Sequence, residues 1–333
     1  MNDPTPLVSV WCATFNHEKY ISRAIEGFLN QKTTFPIEII IHDDASTDKT
    51  AEIIKGYVEE YPDRIKPVYQ TENKYSKGVR IFVKYFLPRA SGKYIAICEG
   101  DDYWIDPLKL QKQVDFLESH PDCVICFSDL QVMEGTKPPY SFISEGQKEI
   151  STLEDLLAHN FIPTCTVMLR NGLVKEYPEW YNRLKTGDWG LYVLTAQYGN
   201  IGYIKDVTAV YRRLSTGMWA GGSKVFRWKA ALEAREAINY HFNHRYQPIL
   251  GDQIFFYAYK LAGIYLKMND LENSRIFMAK CLRNVRYNKK IHRKDIINLW
   301  LRVSIPWVFL LLRFMKRFFI TLKAKVGALR SEK

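Results

Sequence analysis

The first hundred residues alternate between short apolar runs and helical patterns, and this alternation constrains the fold more than any other feature. Four apolar runs have the length of strands, and three segments between them have the polar and apolar periodicity of helices. The predicted strands cover residues 7–13, 37–41, 65–69 and 94–98. Strands that alternate with helices form right-handed crossover units, so the sequence predicts an α/β protein with a mostly parallel sheet.

Polar residues directly follow three of the four predicted strands. Thr14 to Asn16 follow the first strand, Asp43 and Asp44 lie at the end of the second, and residues 99–102 follow the fourth. Parallel sheets bind ligands beyond the carboxyl ends of their strands, at the point where the strand order reverses. If the strands lie in the order 3-2-1-4, the three polar segments meet in one crevice.

Three acids, Glu99, Asp101 and Asp102, lie within four residues after the fourth strand. Carboxylates this close repel one another and favour a compensating cation. Their oxygen atoms suit Mg²⁺ or Mn²⁺, which keeps open positions for substrate phosphates. No glycine-rich phosphate loop is present in the sequence, which further favours a metal that neutralises phosphates. The alternative is a set of exposed turn acids before a helix, whose start Pro107 marks.

Basic charge is concentrated in the C-terminal third of the chain. The net charge of +11 divides into −5 for residues 1–220 and +16 for residues 221–333. Such a surface suits an anionic partner, either lipid or nucleic acid. Nucleic acid is the weaker candidate, and we predict no nucleic-acid partner, because the aromatic residues lie in apolar stretches and not in a polar groove.

Residues 223–290 have helical patterns and are predicted to form a helical subdomain. Residues 291–333 are predicted to form a basic amphipathic tail that associates with an anionic membrane surface. Within it, residues 296–312 are apolar but include Arg302 and Pro306, so the segment falls short of a transmembrane span. The alternative is a terminal helix that docks on the catalytic domain.

The six cysteines mostly lie in apolar, strand-like runs. Cys123 and Cys126 form a C-x-x-C pattern, but the apolar residues around them indicate the core of a strand and not a zinc site. We therefore predict reduced, buried thiols. The first residues also lack the features of a signal peptide. The predicted location is the cytoplasm, with peripheral attachment to the cytoplasmic face of the inner membrane.

Residues 8–16, 43–48 and 90–102 resemble three motifs of the family 2 glycosyltransferases, in the family's order and at similar spacing. The resemblance covers about residues 7–220 and is of the bacterial surface-polysaccharide type. It implies a GT-A fold, which is Rossmann-like with a mostly parallel central sheet flanked by helices, in a catalytic domain of residues 1–222 with a C-terminal helical extension. It also implies an inverting transfer that depends on Mn²⁺ or Mg²⁺.

The resemblance assigns roles to residues of the first three motifs. Ala13 and Phe15 fall where the family holds the nucleobase, and Asp44 falls where a carboxylate accepts a hydrogen bond from the base. Asp101 falls where the ribose or the diphosphate is held, and Asp102 falls on the metal ligand.

Two further acids complete the predicted site. Glu99 replaces the first aspartate of the family's D-x-D motif, an acid that usually faces the sugar or the ribose. Asp188, in the sequence Gly187-Asp188-Trp189, falls on the catalytic base, which takes a proton from the acceptor hydroxyl. The alternative for Asp188 is a helix N-terminal aspartate that the helix dipole favours.

Basic residues near the predicted site leave alternatives open. Leu214 stands where some family members have a histidine that binds metal or diphosphate, so Arg212 or Arg213 is a candidate for that positive charge. Arg80 is a further candidate phosphate partner. Ordinary solvated arginines are the alternative for Arg212 and Arg213. His17 is predicted to be a turn or core residue, and so is His42.

The predicted function is transfer of a sugar from a nucleotide-diphosphate sugar, preferably a UDP-sugar, to a hydroxyl of a glycan or a lipid-linked acceptor. Two alternatives stay open. A nucleotidyltransferase also uses paired acids with metal and nucleotide, but it would be expected to have a glycine-rich, basic N-terminal loop, which residues 8–16 lack. A non-catalytic scaffold of the same fold that binds nucleotide or membrane is the second.

Overall fold

The computed structural model describes residues 5–214, 217 and 221–306, together with residues 308, 309, 312 and 315. The chain divides into two compact units, Met1–Gly222 and Ser223–Lys333. The first unit contains a mixed sheet with helices, and the second is helical.

The sheet of the first unit contains ten strands among the described residues. They are β1 (Val8–Thr14), β2 (Ile37–Asp43), β3 (Ile65–Tyr69), β4 (Tyr94–Ile97), β5 (Tyr103–Trp104), β6 (Cys123–Met133), β7 (Tyr140–Ser141), β8 (Ile150–Ser151), β9 (Met168–Arg170) and β10 (Asn200–Arg212). The order is β3-β2-β1-β4-β9-β6-β10-β5, with β7 beside β6 and β8 beside β10. The predicted order of the first four strands is therefore confirmed.

The direction of the strands determines where a ligand can bind. Strands β3, β2, β1 and β4 are parallel to one another, and β6 and β10 are also parallel. Strand β9 is antiparallel to both of its neighbours, β4 and β6, so β6 runs in the same direction as β4. The carboxyl ends of all six parallel strands therefore lie along one edge of the sheet, which we call the ligand edge.

Six α-helices accompany the sheet in the described part of this unit. They are α1 (Ile21–Leu29), α2 (Thr50–Glu60), α3 (Lys109–Ser119), α4 (Leu153–Ala158), α5 (Glu179–Arg183) and α6 (Asp188–Thr195). Helix α1 buries Ile21, Ala24, Ile25 and Phe28, which share one helical face. The strands β1 and β2 are buried almost throughout, as expected for the interior of a parallel sheet.

One predicted element differs from the structure. The helical segment predicted between the third and fourth strands is a short π-helical turn at Phe82–Phe86. Further along the chain, a 3₁₀ turn at Thr164–Thr166 precedes the three-residue strand β9. The Thr166 backbone N–H and hydroxyl both donate to the Pro163 carbonyl, at 3.1 and 2.9 Å, which favours a turn over an extended strand.

The second unit contains four helices among its described residues: α7 (Lys224–His241), α8 (Gln247–Lys267), α9 (Leu271–Arg283) and α10 (Arg293–Ser304). Helices α8 and α9 are connected by a short turn, across which the Ser274 hydroxyl donates to the Ala262 carbonyl at 2.8 Å. Asp270 caps α9 by accepting from the Asn273 N–H at 3.0 Å.

Two predictions made from composition bear on the described residues. All six cysteines are free and buried, and Cys123 and Cys126 lie in β6, as predicted for strand core. No helix in the described ranges has both the length and the apolar character needed to cross a membrane. Of the predicted tail at residues 291–333, helix α10 is described, whereas residues 316–333 lie outside the described residues.

Candidate active site

Backbone hydrogen bonds join the ends of β1, β2 and β4 at the ligand edge. The Thr14 carbonyl accepts from the Asp44 N–H at 3.0 Å, and the Ala13 carbonyl accepts from the Gly100 N–H at 2.9 Å. A Cβ atom at position 100 would lie 2.8 Å from the Thr14 hydroxyl oxygen, so only glycine allows this approach. The segments predicted to hold the donor are thus held together by the backbone of β1.

The loop after β2 folds against the residues that follow β1. Asn16 and Ala45 both have left-handed backbone conformations, with φ of 56° and 62°. The Asn16 N–H donates to the Ser46 hydroxyl at 2.9 Å, and its side-chain oxygen accepts from the Thr47 N–H at 2.8 Å. Ser46 and Thr47 therefore bond to Asn16 and do not cap α2. Asp48 remains near the helix start, where it accepts from the Thr50 N–H at 3.0 Å.

Ala13 and Phe15 lie at this junction. The Phe15 side chain is 41% exposed, so its ring is open to a ligand at the ligand edge. Ala13 is partly buried at the end of β1, opposite His42 in β2. Their assignment to the nucleobase stays a prediction.

Asp44 has partners within the protein that the sequence did not indicate. Its side chain is only 3% exposed, and its two carboxylate oxygens accept from the Lys74 N–H at 2.8 Å and the Tyr75 N–H at 2.9 Å. The carboxylate therefore fixes the loop after β3. Each oxygen has a second lone pair, so the predicted contact of Asp44 with a nucleobase stays a prediction.

The loop after β4 brings three carboxylates into a buried setting. Burial, with the neighbouring Asp101 next, raises the pKa of Glu99 to about 8. Burial raises the pKa of Asp102 well above its ordinary value, with Asp101 and then Glu99 adding to the effect. Asp102 is 3% exposed. The three acids therefore form a site whose negative charge is poorly compensated.

The partners of these acids within the protein are mainly neutral donors. Asp102 accepts from the Arg212 backbone N–H at 2.8 Å, and His17 Nε2 lies 3.9 Å from an Asp101 carboxylate oxygen. Burial lowers the pKa of His17, which favours its neutral form. In the described part of the chain, no lysine or arginine forms an ion pair with Glu99, Asp101 or Asp102.

The acids of the loop after β4 fit a divalent cation that oxygen atoms of a bound diphosphate also coordinate. Among the described residues, no group of three or more histidine, cysteine, aspartate and glutamate side chains has the arrangement of a metal site. Mg²⁺ and similar ions are often held by one or two carboxylates, with substrate phosphates and water completing the coordination. A cation bound in this way would favour the ionised forms of Glu99 and Asp102, which burial disfavours.

The structure distinguishes between the two arginines that the sequence left as alternatives. Arg212 lies beside the acids, where its guanidinium donates to the Asp101 carbonyl at 2.6 Å and lies over the ring of Tyr103. Arg213 is instead bonded to the Tyr140 hydroxyl at 3.3 Å and paired with Glu134 at 3.5 Å. Of these two arginines, Arg212 therefore lies nearer the acid loop.

The two histidines are embedded in the fold, as predicted. His42 is fully buried between Trp11 and Tyr85, with ring centroids 5.7 and 5.2 Å away. Burial lowers its pKa to about 4, so its ring is neutral at pH 7. His17 differs in lying beside Asp101 at the ligand edge, a position that its sequence context did not predict.

Asp188 is the first residue of α6. The Trp189 indole N–H donates to the Leu156 carbonyl at 3.1 Å and fixes this helix against α4. Burial raises the pKa of Asp188, although the charge of Arg80 opposes this effect. Asp188 is also close enough to the acid loop to contribute to the raised pKa of Glu99. The assignment of Asp188 as the base stays a prediction.

Arg80 is turned toward the segment that precedes Asp188. Its guanidinium donates to the carbonyls of Tyr181 and Leu184. The Tyr75 hydroxyl donates to the Lys185 carbonyl at 2.6 Å in the same region. Tyr75 lies in a polar loop without a recognisable motif, so only the structure shows that it bridges the Asp44 side and the Asp188 side of the site.

Comparisons of sequence and structure with known proteins agree with this architecture. The profile of the family described as Glycosyl transferase family 2 matches residues 9–176. An uncharacterized protein of Mycobacterium tuberculosis is 40% identical over 218 residues, which are 64% of this chain and 60% of that protein. This chain thus spans less than two thirds of that relative. TuaG of Bacillus subtilis, a candidate teichuronic acid biosynthesis glycosyltransferase, is 29% identical over 68% of this chain and 88% of its own.

Two solved structures share the fold. Residues 1–349 of TarS from Staphylococcus aureus, in complex with UDP-GlcNAc, align with a TM-score of 0.53 at 18% identity, over 85% of this chain and 93% of TarS 1–349. The mannosyltransferase PcManGT from Pyrobaculum calidifontis, in complex with GDP-Man and Mn²⁺, aligns with a TM-score of 0.52 at 16% identity. The alignment covers 97% of this chain and 87% of PcManGT. The predicted GT-A-like fold with a C-terminal helical region is confirmed, and the chain belongs to glycosyl transferase family 2.

Proposed function

We propose that this protein transfers a sugar from a nucleoside diphosphate sugar to an acceptor hydroxyl, with inversion at the anomeric carbon. The observation that carries the proposal is that the acid loop with Asp102 is bonded to the end of β1 at the ligand edge, with Asp188 near enough to raise the pKa of Glu99. Asp188 can accept a proton from the acceptor hydroxyl, and Asp102 can bind a cation whose charge stabilises the departing diphosphate.

The reaction needs one proton acceptor and one leaving group. The acceptor oxygen attacks the anomeric carbon from the face opposite the diphosphate, and its proton passes to the Asp188 carboxylate. The new carbon–oxygen bond forms as the bond to the diphosphate oxygen breaks, and the electron pair of that bond leaves with the diphosphate. Partial burial of Asp188 raises its pKa and thereby makes it a better base than an exposed aspartate.

Asp102, with Glu99 or Asp101, would hold Mn²⁺ or Mg²⁺ at the diphosphate. When bound, such an ion supplies positive charge that stabilises the leaving group. The chain's own contribution is the orientation of Asp102, which the Arg212 N–H fixes at 2.8 Å. The complex of PcManGT with GDP-Man and Mn²⁺ supports the choice of a divalent ion.

We propose a UDP-sugar as the donor, with Ala13, Phe15 and Asp44 around the base and Asp101 and Glu99 toward the ribose, diphosphate and sugar. The complex of TarS with UDP-GlcNAc supports this choice of nucleotide. A glycan or lipid-linked saccharide of a surface polymer is the proposed acceptor, in line with the role in teichuronic acid biosynthesis that the name of TuaG gives.

Calorimetry tests the donor site. UDP is expected to bind in the presence of Mn²⁺ and more weakly without it, whereas uridine should bind equally in both conditions because it carries no phosphate for the metal. GDP and CDP serve as matched controls for the base. If none of the three diphosphates binds more tightly with Mn²⁺ than without it, the proposed donor site is wrong.

We also propose that residues 291–333 attach the protein peripherally to the cytoplasmic face of an anionic membrane. In α10, Ile296, Leu299 and Val303 are buried, whereas Ile297 and Trp300 are 55% and 36% exposed. Arg293, Lys294 and Arg302 are exposed on the same helix. Exposed apolar side chains among cations suit the boundary between headgroups and acyl chains.

Vesicle flotation tests this attachment. The protein is expected to float with vesicles that contain phosphatidylglycerol and not with vesicles of phosphatidylcholine alone, and added salt should weaken binding. Ile297→Glu should reduce binding about tenfold or more, because a buried isoleucine contributes roughly 1.5–3 kcal/mol. The matched control is Asn298→Glu, which adds the same charge at an exposed polar position. Equal losses in both variants would argue against insertion of Ile297.

A further inference from the structure

The segment before Asp188 has little regular structure of its own. It joins α5 to α6, and residues 184–187 are neither helix nor strand. Helix α6 begins at Asp188 without a side-chain cap. The direction of the Asp188 carboxylate therefore depends on the Trp189 anchor and on the contacts that hold residues 181–187, which we call the base segment.

Arg80 makes most of these contacts. One guanidinium nitrogen donates to the Tyr181 carbonyl at 3.0 Å and also to the Leu184 carbonyl. The guanidinium lies over the Tyr181 ring, 5.0 Å from its centroid. It also passes so close to Gly187 that a Cβ atom there would collide with it. Arg80 thus touches the base segment at three places, the last of which is adjacent to Asp188.

A second side chain extends this link toward the nucleotide side of the site. The Tyr75 hydroxyl donates to the Lys185 carbonyl, while its backbone N–H donates to the Asp44 carboxylate. Residues 74–80 therefore bridge Asp44 at the end of β2 and the base segment. Because one short stretch of chain contacts both, a change in its position would move both.

We propose that Arg80 is a positioning residue that holds the base segment so that Asp188 faces the donor, and that Tyr75 couples this segment to Asp44. The inference rests on the proposed function, in which Asp188 is the base. It replaces the role suggested by the sequence, in which Arg80 binds phosphate. The planar guanidinium suits the new role, since it can bind two carbonyls and stack on a ring at the same time.

Arg80 has a further donor that does not contact the base segment. Its Nε–H is buried and has no hydrogen-bond partner in the described part of the chain. The polar contacts that the structure gives to this side chain are therefore those to the base segment. The positive charge also lies near enough to Asp188 to oppose the rise of its pKa.

The test compares Arg80→Lys, Arg80→Ala and Tyr75→Phe in steady-state kinetics over a range of pH. Arg80→Ala should lower kcat about tenfold to a hundredfold, because small displacements of a catalytic group have effects of this size. The acidic limb of its kcat/KM profile should shift to higher pH, since a nearby positive charge is lost. Arg80→Lys should lower kcat but keep the limb in place. Tyr75→Phe should lower kcat about two- to tenfold, as for loss of one hydrogen bond.

Arg89→Ala is the matched control, because Arg89 is exposed on the same stretch and also donates to a carbonyl, that of Tyr85, at 2.9 Å. It should behave as the unaltered protein.

Calorimetry with UDP and uridine separates the two roles of Arg80. If Arg80→Lys or Arg80→Ala weakens UDP binding tenfold or more and leaves kcat and the pH limb unchanged, Arg80 binds phosphate and our inference is wrong. Should Arg80→Ala not fold, Arg80→Lys and Tyr75→Phe decide: unchanged kcat in both overturns the inference.

Failure of this inference differs from failure of the proposed function. If the unaltered protein transfers sugar and Asp188→Asn does not, the function stands whatever the Arg80 variants do. If the unaltered protein transfers no sugar from any nucleoside diphosphate sugar, the function fails first, and the claim that Arg80 positions a catalytic base fails with it.

Discussion

Asp188→Asn is expected to lower kcat for sugar transfer about 10²- to 10⁴-fold, which is the usual contribution of a general base. Asparagine has nearly the same shape as aspartate, so α6 and its anchor at Trp189 should persist. The amide cannot take the proton of the acceptor hydroxyl. UDP binding in the presence of Mn²⁺ should be unchanged, which calorimetry on the same preparation checks.

The pH dependence of the unaltered protein provides a second readout of Asp188. The base acts in its deprotonated form, so activity falls as the pH drops through its pKa. The ordinary pKa of an aspartate is about 3.9. Because burial raises the pKa of Asp188, the acidic limb of the activity profile should lie at a higher pH than that value. Glu179→Gln is a suitable control, since Glu179 is an exposed acid on the neighbouring helix α5. Normal turnover by Asp188→Asn would exclude this residue as the base.

Asp102→Asn is expected to lower kcat/KM about 10²- to 10³-fold, as does the loss of other groups that stabilise transition-state charge. The asparagine oxygen can still accept from the Arg212 N–H, so the local fold should be retained. Thermal unfolding with Mn²⁺ reports metal binding directly. An ion present at a hundred times its Kd stabilises the folded state by about 2.7 kcal/mol, and this gain should largely disappear in the variant.

The stabilisation by Mn²⁺ should also grow with pH. A carboxyl group whose pKa is raised by folding favours the folded state at low pH, and this contribution is lost as the pH rises through the raised pKa. For Glu99 this loss of stability extends to its raised pKa of about 8, and the pKa of Asp102 is raised as well. A cation offsets the resulting repulsion. Asp63→Asn is the control, because Asp63 is an exposed acid before β3. A full Mn²⁺ shift in Asp102→Asn would mean that the ion binds elsewhere.

The backbone architecture could be predicted from the sequence because its signals are local. The first four strands and the helices α1 and α2 follow from apolar periodicity and turn residues. Their meeting at one edge follows from the handedness and order of parallel strands. Strand β9 could not be predicted in this way, because its place between β4 and β6 depends on partners far along the chain.

The contacts of the candidate site were less predictable than its acids. Asp44 accepts from Lys74 and Tyr75, thirty residues away, through backbone N–H groups that every non-proline residue possesses. No sequence pattern marks such donors. The same holds for Arg80, whose partners are carbonyls of Tyr181 and Leu184. Side-chain identity indicated a charge in each case, but only the three-dimensional path of the chain determined what that charge contacts.

The contact between Thr14 and Gly100 has a consequence for the donor. Through it and the backbone bonds beside it, the segment predicted to receive the base and the loop predicted to receive the metal are both attached to the end of β1. The distance between them is then set by a rigid strand and not by mobile side chains. If the proposed roles hold, this fixed distance selects donors by the number of phosphates between the nucleoside and the sugar.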